Sequence, residues 1–458
     1  MVVLYVLIAL VAVGLLTGVH WYVWRRLVRD TTARGGWARR TGTAAAFALP
    51  LISVGALIAG RAGAPFPLQR ALAWPGYLWL ALLLYLTLAL LAGEAVRPLL
   101  RAWLSRGRPV DVRSPDAPAA AVGGLVGAAA VPEGAVVSDG AGAAVVSEAK
   151  AVVDGAANIA TEADEAAAEA AEDGAADPGD AAPAPSRRLF VARAVAVGAT
   201  AVAAGTVGYG KYTVLRGPRV KRITVPLAKL PRRAHGFRIA VVSDIHLGPI
   251  LGRDHTRRVV EAVNRTNPDL VAVVGDLVDG SVADLGPAAE PLRALTARHG
   301  SYFVTGNHEY YSGAAEWVDH VRELGLRPLE NERTELPGFD LAGVNDVAGE
   351  SEGHGPDFGK ALGDRDRSRA SVLLAHQPVV IHDAVKAGVD LQLSGHTHGG
   401  QLWPGTYVAE LANPTAAGLD RYGDTQLYVT RGAGAWGPPV RVGAPPDVTV
   451  VELASTRV

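Results

Sequence analysis

The sequence predicts a layered α/β domain carried behind a group of membrane-spanning helices. Two observations predict it. Three long apolar stretches occupy the first 93 residues, and beyond residue 219 short apolar runs alternate with helix-like and turn-rich segments. A third observation says where the chemistry lies: nearly every short run ends in an aspartate, asparagine or histidine.

The chain has 458 residues, a formal net charge of -1 and no cysteine. Near-neutral charge gives no basic field for nucleic acid, and none is expected as a partner. The lack of cysteine excludes disulfides, thiolate metal sites and a thiol nucleophile.

The apolar stretches run from Val2 to Trp24, from Thr43 to Gly60 and from Gly76 to Gly93. A bilayer crossing takes about 20 such residues, and Trp21, Trp24 and Trp74 stand where interfacial anchors would. No basic segment precedes the first stretch, which argues against a cleaved leader. Arginines crowd the segments after the first stretch (Arg25 to Arg40) and after the third (Arg97 to Arg113), whereas the loop between the second and third holds Arg61 and Arg70. The positive-inside rule then places the crowded segments in the cytoplasm and the N-terminus outside.

Residues 1–108 are thus expected to form a membrane domain of three helices. Residues 109–186, rich in Ala, Gly, Pro and acids and without an aromatic residue, read as a disordered acidic linker. Residues 187–218 follow a Ser186-Arg187-Arg188 pattern like that of a twin-arginine signal and are expected to add a fourth span. That would make the protein multi-pass in the cell membrane, with residues 219–458 outside the cytoplasm.

Within 219–458 the short runs are 238–243, 270–275, 301–306, 371–375, 391–394, 426–430 and 448–453, read as strands. Their ends carry "VVSDIHLG" (Asp244, His246), "VVGDLVDG" (Asp276, Asp279), "VTGNHEYY" (Asn307, His308, Glu309), "LLAHQP" (His376) and "LSGHTHGG" (His396, His398). Strand ends are where α/β sheets present side chains to a shared crevice. One such residue alone is more often a turn former or helix cap. Five blocks in order make an oxygen-and-nitrogen cage for two divalent metal ions, with Mn, Fe, Zn or Co suited to the donors. The glycines before Asp276, Asn307 and His396 fit sharp turns and close backbone approach. "GAGAWG" (432–437) matches a dinucleotide loop, but Pro438 and Pro439 follow where that loop needs a helix, so a turn beside the metal site is expected. The glycine-rich stretch 346–368 is either a specificity lid or a plain surface loop.

The ordered set D-x-H, G-D-x-x-D, G-N-H-E, H and G-H-x-H resembles the calcineurin-like metallophosphoesterase superfamily. The fuller "GHTHGGQ" and the C-terminal "GAGAWGPPVRVGAPPDVTVVEL" resemble its membrane-associated bacterial branch. The resemblance implies a two-sheet β-sandwich flanked by helices. It implies one metal on Asp244, His246 and His398, the other on Asn307, His376 and His396, and Asp276 bridging. His308 would be the catalytic group beside the substrate phosphate, oriented by Asp279. The expected activity is metal-dependent hydrolysis of a phosphodiester or pyrophosphate bond by a water activated between the metals, on a phosphate ester that membrane tethering suggests is lipid-linked. A metal-binding sensor or scaffold with weak catalysis is the rival reading, and its signature would be a missing bridge or a replaced His308. A transporter is disfavoured because the apolar stretches carry almost no ionisable residue at mid-depth.

Overall fold

The computed structural model describes residues 2–106 and 187–457; the expected linker, 109–186, lies wholly outside them. Four helices precede the domain of residues 219–458: α1 (Val2–Trp24), α2 (Trp37–Ile58), α3 (Phe66–Arg106) and α4 (Arg187–Leu215). The helices outrun the apolar stretches. α3 reaches 41 residues because it passes through Pro75 and Pro98, which the sequence offers as helix breakers. α2, α3 and α4 are each long and apolar enough to cross a membrane, and α1 is an unbroken 23-residue run of mostly apolar side chains.

One end of the helices is tied by charge. Glu94 pairs with Arg26 at 2.9 Å and with Arg97 at 3.3 Å, and Arg193 donates to the Thr31 carbonyl. At the other end α4 reaches the following domain: Arg441 donates its N–H to the Gly210 carbonyl, and Val440 lies where a Cβ on Gly210 would clash at 2.5 Å. Lys211, in the last turns of α4, sits 4.8 Å over the Trp74 ring. Tyr85 of α3 donates its hydroxyl to the Trp403 carbonyl.

The domain is a sandwich of two six-stranded sheets. The first, in the order β1-β12-β2-β3-β4-β5, holds β1 (Arg219–Leu227), β2 (Phe237–Val242), β3 (Leu270–Val274), β4 (Ser301–Val304), β5 (Arg327–Pro328) and β12 (Asp447–Ser455). The second, in the order β10-β11-β9-β8-β7-β6, holds β6 (Glu332–Leu336), β7 (Phe339–Gly343), β8 (Ala370–Leu374), β9 (Leu391–Ser394), β10 (Gly418–Tyr422) and β11 (Thr425–Val429). β2, β3 and β4 pair in parallel, as do β7, β8, β9 and β11. Parallel strands buried on both faces read as largely apolar runs, which is why all of these except β7 were legible. Between the sheets pack Ile239, Val241, Tyr302, Phe339, Leu341, Val372, Leu393 and Tyr428. The outer face of the first sheet is covered by α5 (Arg253–Asn264), α6 (Val282–Ala289) and α8 (Ala314–Glu323), with Trp317 fully buried. Phe66, at the start of α3, packs against that same cluster. A short α7 (Asn307–Ser312) follows β4, α9 (Phe358–Leu362) and α10 (Ile381–Ala387) cover the second sheet, and α11 (Gly405–Ala412) leaves Tyr407, Val408 and Leu411 exposed.

Candidate metal centre

The loops leaving β2, β3, β4, β8 and β9 converge, and they bring every sequence-predicted site residue together. Asp244, His246 and His398 place three ligand atoms within 4.8 Å of one another. His246, Asp276 and His308 form a second such group, and Asp276, His376 and His396 a third. Asp276 is common to the last two. Asn307 joins through its amide oxygen, which lies 3.0 Å from His396 Nδ1.

Local backbone conformation shows what this convergence requires. Asp244, His246, Asp276, His396 and His398 all have φ between +47° and +74°, the left-handed region that non-glycine residues avoid. Strain of about 1–3 kcal/mol per residue survives only where surrounding structure imposes it, and such outliers cluster at functional sites. Two glycines make the approach possible. A Cβ on Gly395 would fall 2.0 Å from Ser243 Oγ, and one on Gly434 would fall 2.0 Å from the Ile245 carbonyl. The "GAGAWG" segment is therefore a turn pressed against the Asp244 loop, as the prolines after it implied.

Hydrogen bonds fix the cage. Asp279 Oδ1 holds two rings at once, His246 Nδ1 at 2.8 Å and His308 Nδ1 at 2.7 Å. Asp276 Oδ1 accepts from the His308 backbone N–H, and both oxygens of Asp244 accept from the His396 N–H. Glu309 is fully buried and accepts three backbone N–H bonds, from Asp276, Leu277 and Gly306, so it shapes the loop and is not a spare ligand. Burial, then the Asp276 charge, pushes Glu309 up to about 7. A cation on Asp276 would cancel the second of these and restore the carboxylate those three donors favour.

The donor set fits divalent cations. His246 Nε2 and His398 Nε2 face each other at 3.0 Å while their Nδ1 atoms are engaged elsewhere. His376 Nε2 is buried with no hydrogen-bond partner, 3.1 Å from Asp276 Oδ2. Buried polar atoms are rarely left so, and a cation beside Asp276 would satisfy the His376 nitrogen. Protonation agrees for two rings: burial, then His376, lowers His396 to about 4, and burial, then Arg441, holds His398 well below its ordinary value. His376 goes the other way, lifted by Asp276 against its burial. Asp279 stays at about 2 despite burial because His246 and His308 stabilise its charge.

One participant escaped sequence reasoning. Arg441 is 1% exposed and donates to the Gly434 carbonyl twice, to the His398 carbonyl and to His398 Nδ1 at 2.9 Å. A guanidinium only donates, so His398 Nδ1 accepts here and the neutral ring carries its proton on Nε2, which would have to shed it to hold a cation. The signal was a lone arginine inside a Pro/Gly-rich turn, which by itself reads as surface charge.

A cavity of about 480 Å³ opens onto His246, Asp279 and His308. No residue of 346–368 lines it; the wall opposite the cluster comes from α2, α3 and the turn joining them. That stretch is not a plain loop throughout, since it contains α9, packed on the second sheet.

Residues 237–400 match the calcineurin-like phosphoesterase model. An uncharacterized metallophosphoesterase of Helicobacter pylori is 37% identical over 59% of this chain and 73% of its own length. The chain belongs to the calcineurin-like phosphoesterase family. Another family relative, from Aquifex aeolicus, is 36% identical over 51% of this chain and 91% of its own. A zebrafish (Danio rerio) "transmembrane protein with metallophosphoesterase domain" is 41% identical over 54% of this chain. The match spans 59% of that relative, so the chain covers less than two thirds of it. Relatives of this phosphoesterase are thus not confined to bacteria.

Proposed function

We propose that the protein is a membrane-anchored, two-metal phosphoesterase that hydrolyses a phosphodiester or pyrophosphate bond of a lipid-linked or cell-envelope substrate. The observation that carries this is the place of Asp276 between the two ligand sets: its Oδ2 lies 3.7 Å from His246 Nε2 and 3.1 Å from His376 Nε2. A carboxylate placed in this way would give two cations a common anionic ligand. Asp244, His246 and His398 would hold the first, and Asn307, His376 and His396 the second. Divalent cations there would supply Lewis-acid polarisation of the phosphoryl oxygens and an activated water. His308, tethered through Nδ1 to Asp279, keeps Nε2 free to donate to a phosphoryl or leaving-group oxygen. Neither a missing bridge nor a replaced His308 is present, which disfavours the sensor reading.

The membrane arrangement follows from charge. The arginine-rich ends of α1, α3 and α4 cluster away from the domain, while the α2–α3 turn and the end of α4 touch it. By the positive-inside rule the domain then faces away from the cytoplasm. An exposed Arg187-Arg188 pair opening α4 supports its reading as an export-type signal anchor. Exposed Trp403, Tyr407, Val408 and Leu411 beside α3 suit a lipid surface.

The test uses the full chain in detergent with Mn²⁺ and bis-p-nitrophenyl phosphate. Hydrolysis that EDTA abolishes and Mn²⁺ restores is expected, and metal-independent or absent turnover would defeat the proposal.

A further inference from the structure

The cavity beside the metal-type cluster has an unusual second wall. Its floor is His246, Asp279 and His308; its far side is made by Ala56, Leu57, Arg61, Phe66 and Tyr77 from the α2–α3 hairpin. The membrane helices are therefore more than a tether.

Arg61 is the charged member of that wall. Its guanidinium lies 5.9 Å over the ring of Tyr311, and that ring lies 5.5 Å edge-on from His308. Arg61 thus stands one aromatic ring farther out than His308. Trp436 flanks His308 at 5.8 Å, so two aromatic rings border the approach. Asp284 also lines the cavity, but its carboxylate is occupied by Ser281 Oγ at 3.1 Å. Among the described residues no carboxylate pairs with Arg61 at ion-pair distance.

We infer that the α2–α3 hairpin is a substrate-binding wall, and that Arg61 binds the inner phosphoryl group of an amphiphilic diphosphate whose terminal phosphoryl group lies at the metal cluster. This rests on the phosphoesterase reading above. Three features select the ligand. A monoanionic diester would be neutralised at the cluster, so a fixed cation farther out calls for a second anionic group, and guanidinium is the side chain that binds phosphate in bidentate fashion. A cavity of about 480 Å³ holds a headgroup and the first methylenes but not a long chain. The chain can leave along Leu57 and Ile58, which are 41% and 55% exposed at the end of a membrane-capable helix.

In the reaction, a water oxygen bonds to the terminal phosphorus as the bond from that phosphorus to the bridging oxygen breaks. The electron pair stays on the lipid phosphate, a proton passes to solvent, and the products are lipid monophosphate and inorganic phosphate.

The experiment places the full chain in phosphatidylcholine nanodiscs with Mn²⁺ and compares farnesyl diphosphate, ADP and bis-p-nitrophenyl phosphate. Farnesyl diphosphate should be the best substrate by kcat/KM. Arg61→Gln should raise its KM so that its kcat/KM, relative to that for bis-p-nitrophenyl phosphate, falls on the order of 10-fold, with Arg61→Lys recovering part. A second readout does not depend on turnover. Because the chain has no cysteine, Ala64→Cys supplies a single thiol in the cavity wall. Farnesyl diphosphate should slow its alkylation, and Arg61→Gln should remove that protection. Equal loss on farnesyl diphosphate and bis-p-nitrophenyl phosphate, or an unprotected thiol, overturns the inference while leaving the phosphoesterase intact. ADP matching farnesyl diphosphate overturns the lipid assignment. No turnover of any substrate by the unsubstituted enzyme overturns the parent reading and this one with it.

Discussion

The two sheets of the sandwich contribute different chemistry to one centre. The loops after β2, β3 and β4 of the first sheet supply every carboxylate, Asp244, Asp276 and Asp279, together with the Asn307 amide, His246 and His308. The loops after β8 and β9 of the second sheet supply imidazoles only, His376, His396 and His398. The first sheet's half is anionic and would repel itself without cations or protons. The second half is neutral at His396 and His398, held so chiefly by burial. Neither half supplies both proposed ligand sets alone, so the pairing of the sheets assembles the centre. Asp276 marks the seam, because its Oδ2 faces His376 of the other sheet at 3.1 Å.

The seam should be the most sensitive point. Asp276→Asn keeps the shape but removes the charge that two cations would share. Activity should fall by 10²-fold or more, with loss of bound metal by elemental analysis. An active variant with unchanged metal content would show that the halves do not meet at this carboxylate. His308→Ala should cost about 10²–10⁴-fold in kcat while metal content stays put, because His308 lies within reach of Asp276 yet is tethered to Asp279.

Each half can next be weakened separately. His376→Ala on the second sheet and Asp244→Asn on the first should each lower metal stoichiometry toward one ion per chain instead of none. Titration with Mn²⁺ and elemental analysis after desalting would read the difference, and complete loss from either variant would mean the two positions do not fill independently. A smaller effect belongs to the segment crossing between the sheets. Arg441→Met removes four donated bonds around His398 and Gly434, and groups that orient a metal ligand are typically worth 10–100-fold in metal affinity. Arg441→Lys should restore little, since one ammonium cannot reproduce the planar fork. Unchanged affinity in Arg441→Met would limit that arginine to packing.

Much of this division was legible in the sequence. The buried parallel strands β2, β3 and β8 announce themselves as short, largely apolar runs and β9, "LQLS", more weakly, and the ligands stand just beyond their ends. β6, "ERTEL", and β10, "GLDRY", were not legible, because edge strands facing solvent lack such runs. β7, "FDLAG", is interrupted by Asp340, whose buried carboxylate is paired with Arg369 across 29 residues. The same limit hides Arg441 and the hairpin wall. A ligand at a strand end is a local pattern, but an arginine that reaches His398 or a membrane turn that closes a cavity is defined by long-range contact. Pro75 concealed the length of α3 for the opposite reason: local propensity forbids what packing permits.

Histidines kept neutral beside a ligand site differ from one kept neutral by burial and a neighbouring arginine. His255 of α5 lies on the first sheet's outer face, 1% exposed, and neither ring nitrogen has a hydrogen-bond partner. Burial, then Arg258, lowers it to about 3 from an ordinary 6.5. Below pH 6.5 the unfolded chain takes up a proton that the fold refuses until about pH 3, so the fold loses stability as pH falls through that window. His396, at about 4, has the same sign, but a bound cation would oppose its protonation and His255 has none to call on. At pH 5 the His255 share is about 2 kcal/mol, taking ~1.4 kcal/mol per pH unit. His255→Leu fills similar volume without the stranded nitrogens and removes this share. It should raise the melting temperature more at pH 5 than at pH 8, with metal content unchanged. An equal gain at both pH values would mean that the acid sensitivity resides in the second sheet's histidines, and the contrast between the two kinds of buried imidazole would fail.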